Sequence, residues 1–235
     1  MRGPIDPRDR LIVAIDVPGF DEAIALVDAL GESVTFYKLG LELAMSGRYF
    51  ELLDLLVARD KQIFADLKFY DIPATVGSAV RQVSKRGARF LTVHGGNDEI
   101  LEAACAEKGD LAILAVTVLT SLDAEDFQRD LGIAIPVRDL VISRTRRALA
   151  SGCDGVIASG TETAPLRVAL GDDFLIVAPG IRPVERRDDQ KRVVTPRQAL
   201  EAGADYIVVG RPIRDAGDPR AAAEAIQETI AELYG

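Results

Sequence analysis

Eight short apolar runs, rich in β-branched residues, recur through the chain, and an amphipathic segment follows each one. The runs cover residues 11–17, 35–40, 62–69, 89–94, 111–120, 155–159, 174–181 and 205–210. The amphipathic segments include 21–30, 49–59, 74–86, 98–107, 137–150, 163–170, 196–202 and 219–233. A strand with no polar alternation is buried on both faces, which calls for a parallel sheet covered by helices. Eight strand–helix units in 235 residues predict an α/β fold, a (β/α)8 or TIM barrel. A doubly wound open sheet is the alternative, but no Gly-x-Gly-x-x-Gly turn follows the first strand, so the dinucleotide fingerprint is missing. Helix boundaries agree with the parsing. Pro18-Gly19-Phe20-Asp21 and Val194-Thr195-Pro196 supply start signals, and Gly87, Gly152 and Gly203 each sit just past a final turn. No linker, low-complexity tract or composition break interrupts the pattern, so residues 1–235 are expected to form a single barrel domain.

The third run breaks its apolar character at Asp66-Leu67-Lys68-Phe69-Tyr70-Asp71-Ile72-Pro73. Side chains two apart on a strand share a face, so Asp66 and Lys68 point one way and Leu67 the other. Asp71 falls past the strand, in the turn that Pro73 closes before a helix. A structural ion pair at a strand end would explain this cluster in isolation. In a barrel, however, chemistry collects at the carboxyl ends of strands. Polar residues recur at those ends: Asp16, Lys38, His94, Thr120 with Ser121, Arg182 after Pro179-Gly180-Ile181, and Arg211 after Gly210. Val208-Val209-Gly210-Arg211-Pro212-Ile213 suits a phosphate, because glycine lets backbone N–H groups approach and arginine adds a bidentate charge. The charged segment 182–192 reads as a lid over an anion or as solvated surface. His94 is the only histidine and has no nucleophile elbow near it, so a packed structural role is expected.

Composition narrows the partners. A hydrophobic content of 48% is ample for a core, and a net charge of −9 disfavours nucleic acid and anionic membranes. The longest apolar run, near 111–119, is too short to span a bilayer, and residues 1–7 do not read as a signal peptide. Cys105 and Cys153 fit neither a zinc site nor a disulfide framework, and no metal constellation is visible. Free buried thiols in a cytoplasmic protein are expected.

Taken together, these residues resemble the bacterial orotidine 5′-phosphate decarboxylase family. The resemblance runs from Ala14-Ile15-Asp16-Val17 through Tyr37-Lys38, Asp66 to Thr75, Val118-Leu119-Thr120-Ser121, Pro179 to Arg182 and Asp188-Asp189-Gln190-Lys191-Arg192 to Val209-Gly210-Arg211-Pro212-Ile213. It implies conversion of orotidine 5′-phosphate to UMP and CO2 with no metal or organic cofactor. It also implies a homodimer with composite active sites. On that resemblance, Lys68 donates the proton to C6, Asp66 neighbours it, and Asp16 and Lys38 meet the ribose and join the charged network. Asp71 and Thr75 reach the partner's site, and Ile72 is a substrate-binding residue. Thr120 and Ser121 face the pyrimidine. Arg182, Gly210 and Arg211 bind phosphate beside Pro179, and Gln190 bridges phosphate and base.

The charges suit that chemistry. Loss of CO2 from C6 leaves a carbanion without an electron sink, and a fixed ammonium can stabilise it and then protonate it. Two rivals are a sugar-phosphate decarboxylase or aldolase-like barrel using Mg2+, and a silent barrel that only binds a phosphorylated metabolite.

Overall fold

The computed structural model describes residues 4–132, 134–182 and 194–235. A 3-10 turn, Pro7–Arg10, leads into strand β1 (Leu11–Ile15) and helix α1 (Phe20–Leu30). Then come β2 (Phe36–Leu39), the one-turn α2 (Leu41–Ala44) and α3 (Tyr49–Ala58). Next are β3 (Gln62–Phe69), α4 (Pro73–Ser84), β4 (Phe90–His94) and α5 (Asp98–Ala106). The second half holds β5 (Ala112–Val116), α6 (Ala124–Leu131), α7 (Val137–Ala150), β6 (Gly155–Ile157) and α8 (Gly160–Leu170). It ends with β7 (Leu175–Ala178), α9 (Pro196–Glu201), β8 (Tyr206–Val209), α10 (Arg211–Arg214) and α11 (Pro219–Tyr234).

The strands pair in sequence order, all parallel, and β8 pairs back onto β1, so the sheet closes into an eight-stranded barrel. The predicted (β/α)8 architecture is therefore the observed one. Because both faces of each strand are covered, two apolar layers form. Outward residues such as Val13, Tyr37, Ile63 and Leu91 pack with the helices. Inward residues Ile12, Phe36, Phe64, Phe90, Leu114, Val177 and Tyr206 fill the barrel. Phe36, Phe90 and Tyr206 stack there with ring centroids 5.1 to 5.8 Å apart, in tilted and edge contacts that suit aromatic quadrupoles.

Local signals fix the ends. Thr195 caps α9 reciprocally with Gln198, and Gly152 and Gly203 adopt positive φ as helix terminators. The start of α1 differs in detail: Gly19 is the cap residue and has no side-chain cap bond. At the amino ends of β7 and β8, half-buried Asp205 accepts from the Ile176 N–H and from Arg167 at 2.7 Å. Gly155 opens β6 where an added Cβ would lie 2.8 Å from the Leu175 carbonyl carbon, so only glycine lets β6 approach β7 so closely. Cys105 and Cys153 are free thiols, as expected, with sulfurs 3.7 Å apart. Among the described residues, no helix is long and apolar enough to cross a membrane.

Candidate active site

Strand alternation builds the site directly on the apolar filling. Two residues along a strand is a rise of roughly 6.6 Å. That step leads from Ala14 to Asp16, from Phe36 to Lys38, from Phe64 to Asp66, from Phe90 to Thr92 and from Val208 to Gly210. A polar layer thus sits on an apolar one at the carboxyl end of the barrel. Gly40 leaves room for it: a Cβ there would come within 3.2 Å of both the Lys38 ammonium and the Asp16 carboxylate.

β3 departs from ideal pairing at the centre of this layer. Five residues of β3, from Ala65 to Phe69, run beside three of β4, from Leu91 to Val93. This bulge places Lys68 at φ +47°, a left-handed conformation that costs a non-glycine residue roughly 1–2 kcal/mol. The Lys68 N–H has left the ladder and donates to Thr92 Oγ1 at 2.9 Å. Even so, Lys68 and Asp66 meet on one face, while Leu67 packs against the outer core, as alternation predicts.

The result is a row of alternating charges. Asp16 Oδ1 accepts from Lys38 Nζ at 3.0 Å, Lys38 Nζ lies 3.4 Å from Asp66 Oδ2, and Lys68 Nζ donates to Asp66 Oδ1 at 2.8 Å. Burial alone pushes the Asp66 carboxyl up. The ammonium groups of Lys38 and Lys68, with hydrogen bonds from Lys68 and Thr92, more than reverse this and hold it below the usual carboxylate value. Burial likewise pushes Lys38 down, and Asp66 and Asp16 overcome it, so Lys38 stands above the usual ammonium value. His94 ends β4 half-buried, with its ring edge-on to Tyr70 at 5.5 Å. Burial, then Lys68 and Arg144, lower its pKa, which favours the neutral ring.

The row lines a cavity of about 530 Å³ together with Thr120, Ser121, Pro179, Arg182, Gly210 and Arg211. One wall is apolar, formed by Val116, Val118, Leu119 and Ile157. Another part of the lining is basic. Arg182 leaves β7 buried beside the Ile181–Val194 bridge, and its backbone N–H donates to Val194 at 3.0 Å. Arg211 opens α10, and Arg214, one turn later, joins the lining and donates to the Asp16 carbonyl. A molecule with an anionic group at one end and a flat ring at the other fits this division of charge.

Most of the expected site residues therefore converge. Thr120 and Ser121 reach the cavity from a loop, since β5 ends at Val116 rather than continuing to residue 120. There the Thr117 hydroxyl donates to Ile157 at 2.9 Å, and the chain turns at Leu119, whose carbonyl accepts from Leu122. Asp71, Ile72 and Thr75 are exposed around the start of α4 and stand apart from the lining of their own cavity. Gln190 lies outside the described residues, with all of 183–193. Sequence reasoning missed Arg214 and Thr92. Three-residue spacing from Arg211 on a helix was the available signal for the first. Inward parity with Phe90 was the signal for the second.

The Orotidine 5′-phosphate decarboxylase / HUMPS family matches residues 9–226 of the chain. The orotidine 5′-phosphate decarboxylase of Methylococcus capsulatus is 59% identical, over 98% of this chain and 96% of that one. The enzyme of the same name from Xanthomonas euvesicatoria is 54% identical, over 97% and 94%. The crystal structure of orotidine 5′-phosphate decarboxylase from Lactobacillus acidophilus superposes with a TM-score of 0.85 at 35% identity, covering 94% of this chain and 99% of that one. Barrel and sequence agree over nearly the full length, and the chain belongs to the orotidine 5′-phosphate decarboxylase / HUMPS family.

Proposed function

We propose that the chain decarboxylates orotidine 5′-phosphate to UMP and CO2, the last step of de novo UMP synthesis, with neither metal nor organic cofactor. The observation that carries this reading is the Asp16–Lys38–Asp66–Lys68 row facing a basic cavity end.

Arg182, Gly210 and Arg211 hold the phosphate beside Pro179, and Gln190 bridges phosphate and base. Asp16 and Lys38 take the ribose hydroxyls, and Thr120 and Ser121 meet the pyrimidine. Phosphate binding far from C6 anchors the nucleotide in the cavity. The substrate carboxylate then lies beside Asp66. Two unit charges about 4 Å apart at an effective dielectric near 20 repel by roughly 4 kcal/mol, and that repulsion ends when CO2 departs. Lys68 faces C6, offsets the negative charge as it develops, and donates its proton to the carbanion. Asp66 holds Lys68 in place at 2.8 Å, so no reorganisation is needed at the moment of bond breaking.

Asp71 and Thr75 work in the site of a second subunit of a homodimer, and Ile72 beside them binds substrate. Their exposure, with Ile72 and Tyr70 each 66% exposed, supports this reading. The expected setting is the cytoplasm. The test is a continuous assay of the loss of orotidylate absorbance with purified protein, with and without EDTA. Turnover unaffected by EDTA is expected. Turnover lost to EDTA and restored by Mg2+ would favour the aldolase-like relatives, and tight binding of UMP without turnover would favour a silent binder.

A further inference from the structure

Thr92 is fully buried on β4 and is absent from the cavity lining, yet its hydroxyl serves the last two members of the charged row, Asp66 and Lys68. It donates to Asp66 Oδ1 at 2.9 Å and accepts from the Lys68 backbone N–H at 2.9 Å. Both bonds fall where β3 and β4 lose register and Lys68 turns left-handed. A backbone N–H displaced from its ladder needs another acceptor, and the Thr92 hydroxyl is that acceptor.

We propose that Thr92 is the positioning residue of the decarboxylation site: one hydroxyl fixes the bulge that aims Lys68 and orients the carboxylate that holds the Lys68 ammonium. The inference rests on the reaction proposed above. Donor and acceptor roles run through a single oxygen, so the backbone of Lys68 and the side chain of Asp66 are set relative to each other. Valine has nearly the same shape but neither role. Serine keeps both.

Thr92→Val should reduce kcat about 100-fold, the scale expected when a reacting group is misplaced by about 1 Å. KM should change less than threefold, because the phosphate grip lies elsewhere. Loss of a donor to the carboxylate also raises the pKa of Asp66, so the acid limb of the kcat–pH profile should move toward neutral. The charged and titratable groups that face Asp66 are Lys68 on its own strand, Lys38 on β2, His94 on β4, Tyr49 on α3 and, through Lys38, Asp16. None of them changes in the variant. Thr92→Ser should restore both kcat and the acid limb. A merely structural threonine would lower the melting temperature while leaving kcat per folded molecule and the acid limb as in the parent, and that result would overturn the proposal. Should Thr92→Val not fold, Thr92→Cys, a poor donor and acceptor of similar size, carries the same comparison. If the parent protein itself does not decarboxylate orotidine 5′-phosphate, the reading of function fails. A 13C NMR titration of the Asp66 carboxyl in parent, Thr92→Val and Thr92→Ser then still decides whether Thr92 sets its state: an unchanged titration in Thr92→Val overturns the inference.

Discussion

At the scale of the residue, the proposed reaction divides the site into groups that act on C6 and groups that hold the nucleotide. Lys68→Ala should reduce kcat by about 10⁴-fold, the upper range for losing a general acid. Arg211→Ala should act mainly on KM, raising it about tenfold or more, since a phosphate contact is made equally before and during reaction. Steady-state kinetics on protein free of host enzyme checks both. The row also predicts how stability depends on pH. Asp66 lies below its ordinary value in the fold, so its contribution is present above the unfolded value of about 3.9 and disappears as pH falls through the folded one. Lys38 lies above its ordinary value, so its contribution is complete below about pH 10.4 and is lost as pH rises through the folded value. Asp66→Asn should flatten the acid side of a melting-temperature profile. It should also cost about 3–5 kcal/mol at neutral pH, because Lys38 is left buried with half its partners.

At the scale of the element, β6 offers a direct test of packing. Gly155→Ala should cost about 1–3 kcal/mol, seen as a lower denaturant midpoint at unchanged slope, because the new methyl group meets the β7 backbone. Legibility in the sequence followed the same physics. β3 was readable to the residue at 62–69, since buried apolar residues run straight into charged ones. α8 was read from residue 163 but begins at Gly160. Its start is set by a reciprocal cap between Ser159 and Glu162, a local polar signal that apolar periodicity does not carry, and Pro165 lies within the helix. α2 and α10 are single turns, too short to show a period, and α6 has a largely charged sequence. The charged row could be foreseen because strand parity and barrel polarity place it. The bulge at Lys68 could not, because it depends on pairing between two strands and a hydroxyl on the second.

At the scale of the whole molecule, the proposed dimer can be tested by complementation. Lys68→Ala and Asp71→Ala proteins, each inactive alone, should regain activity after subunit exchange. Equal mixing of a two-fold dimer gives half heterodimers with one intact site each, or about one quarter of parental activity. No recovery after verified exchange would mean that Asp71 acts within its own subunit. The barrel also dictates traffic. Phe36, Phe90 and Tyr206 plug it beneath the charged row, so the cavity is a cul-de-sac. In the proposed reaction the gas is born above that plug, beside Asp66 and Lys68, while arginines moor the nucleotide by its phosphate. Both products leave by one doorway, and the smaller must slip past the larger or wait for it to go.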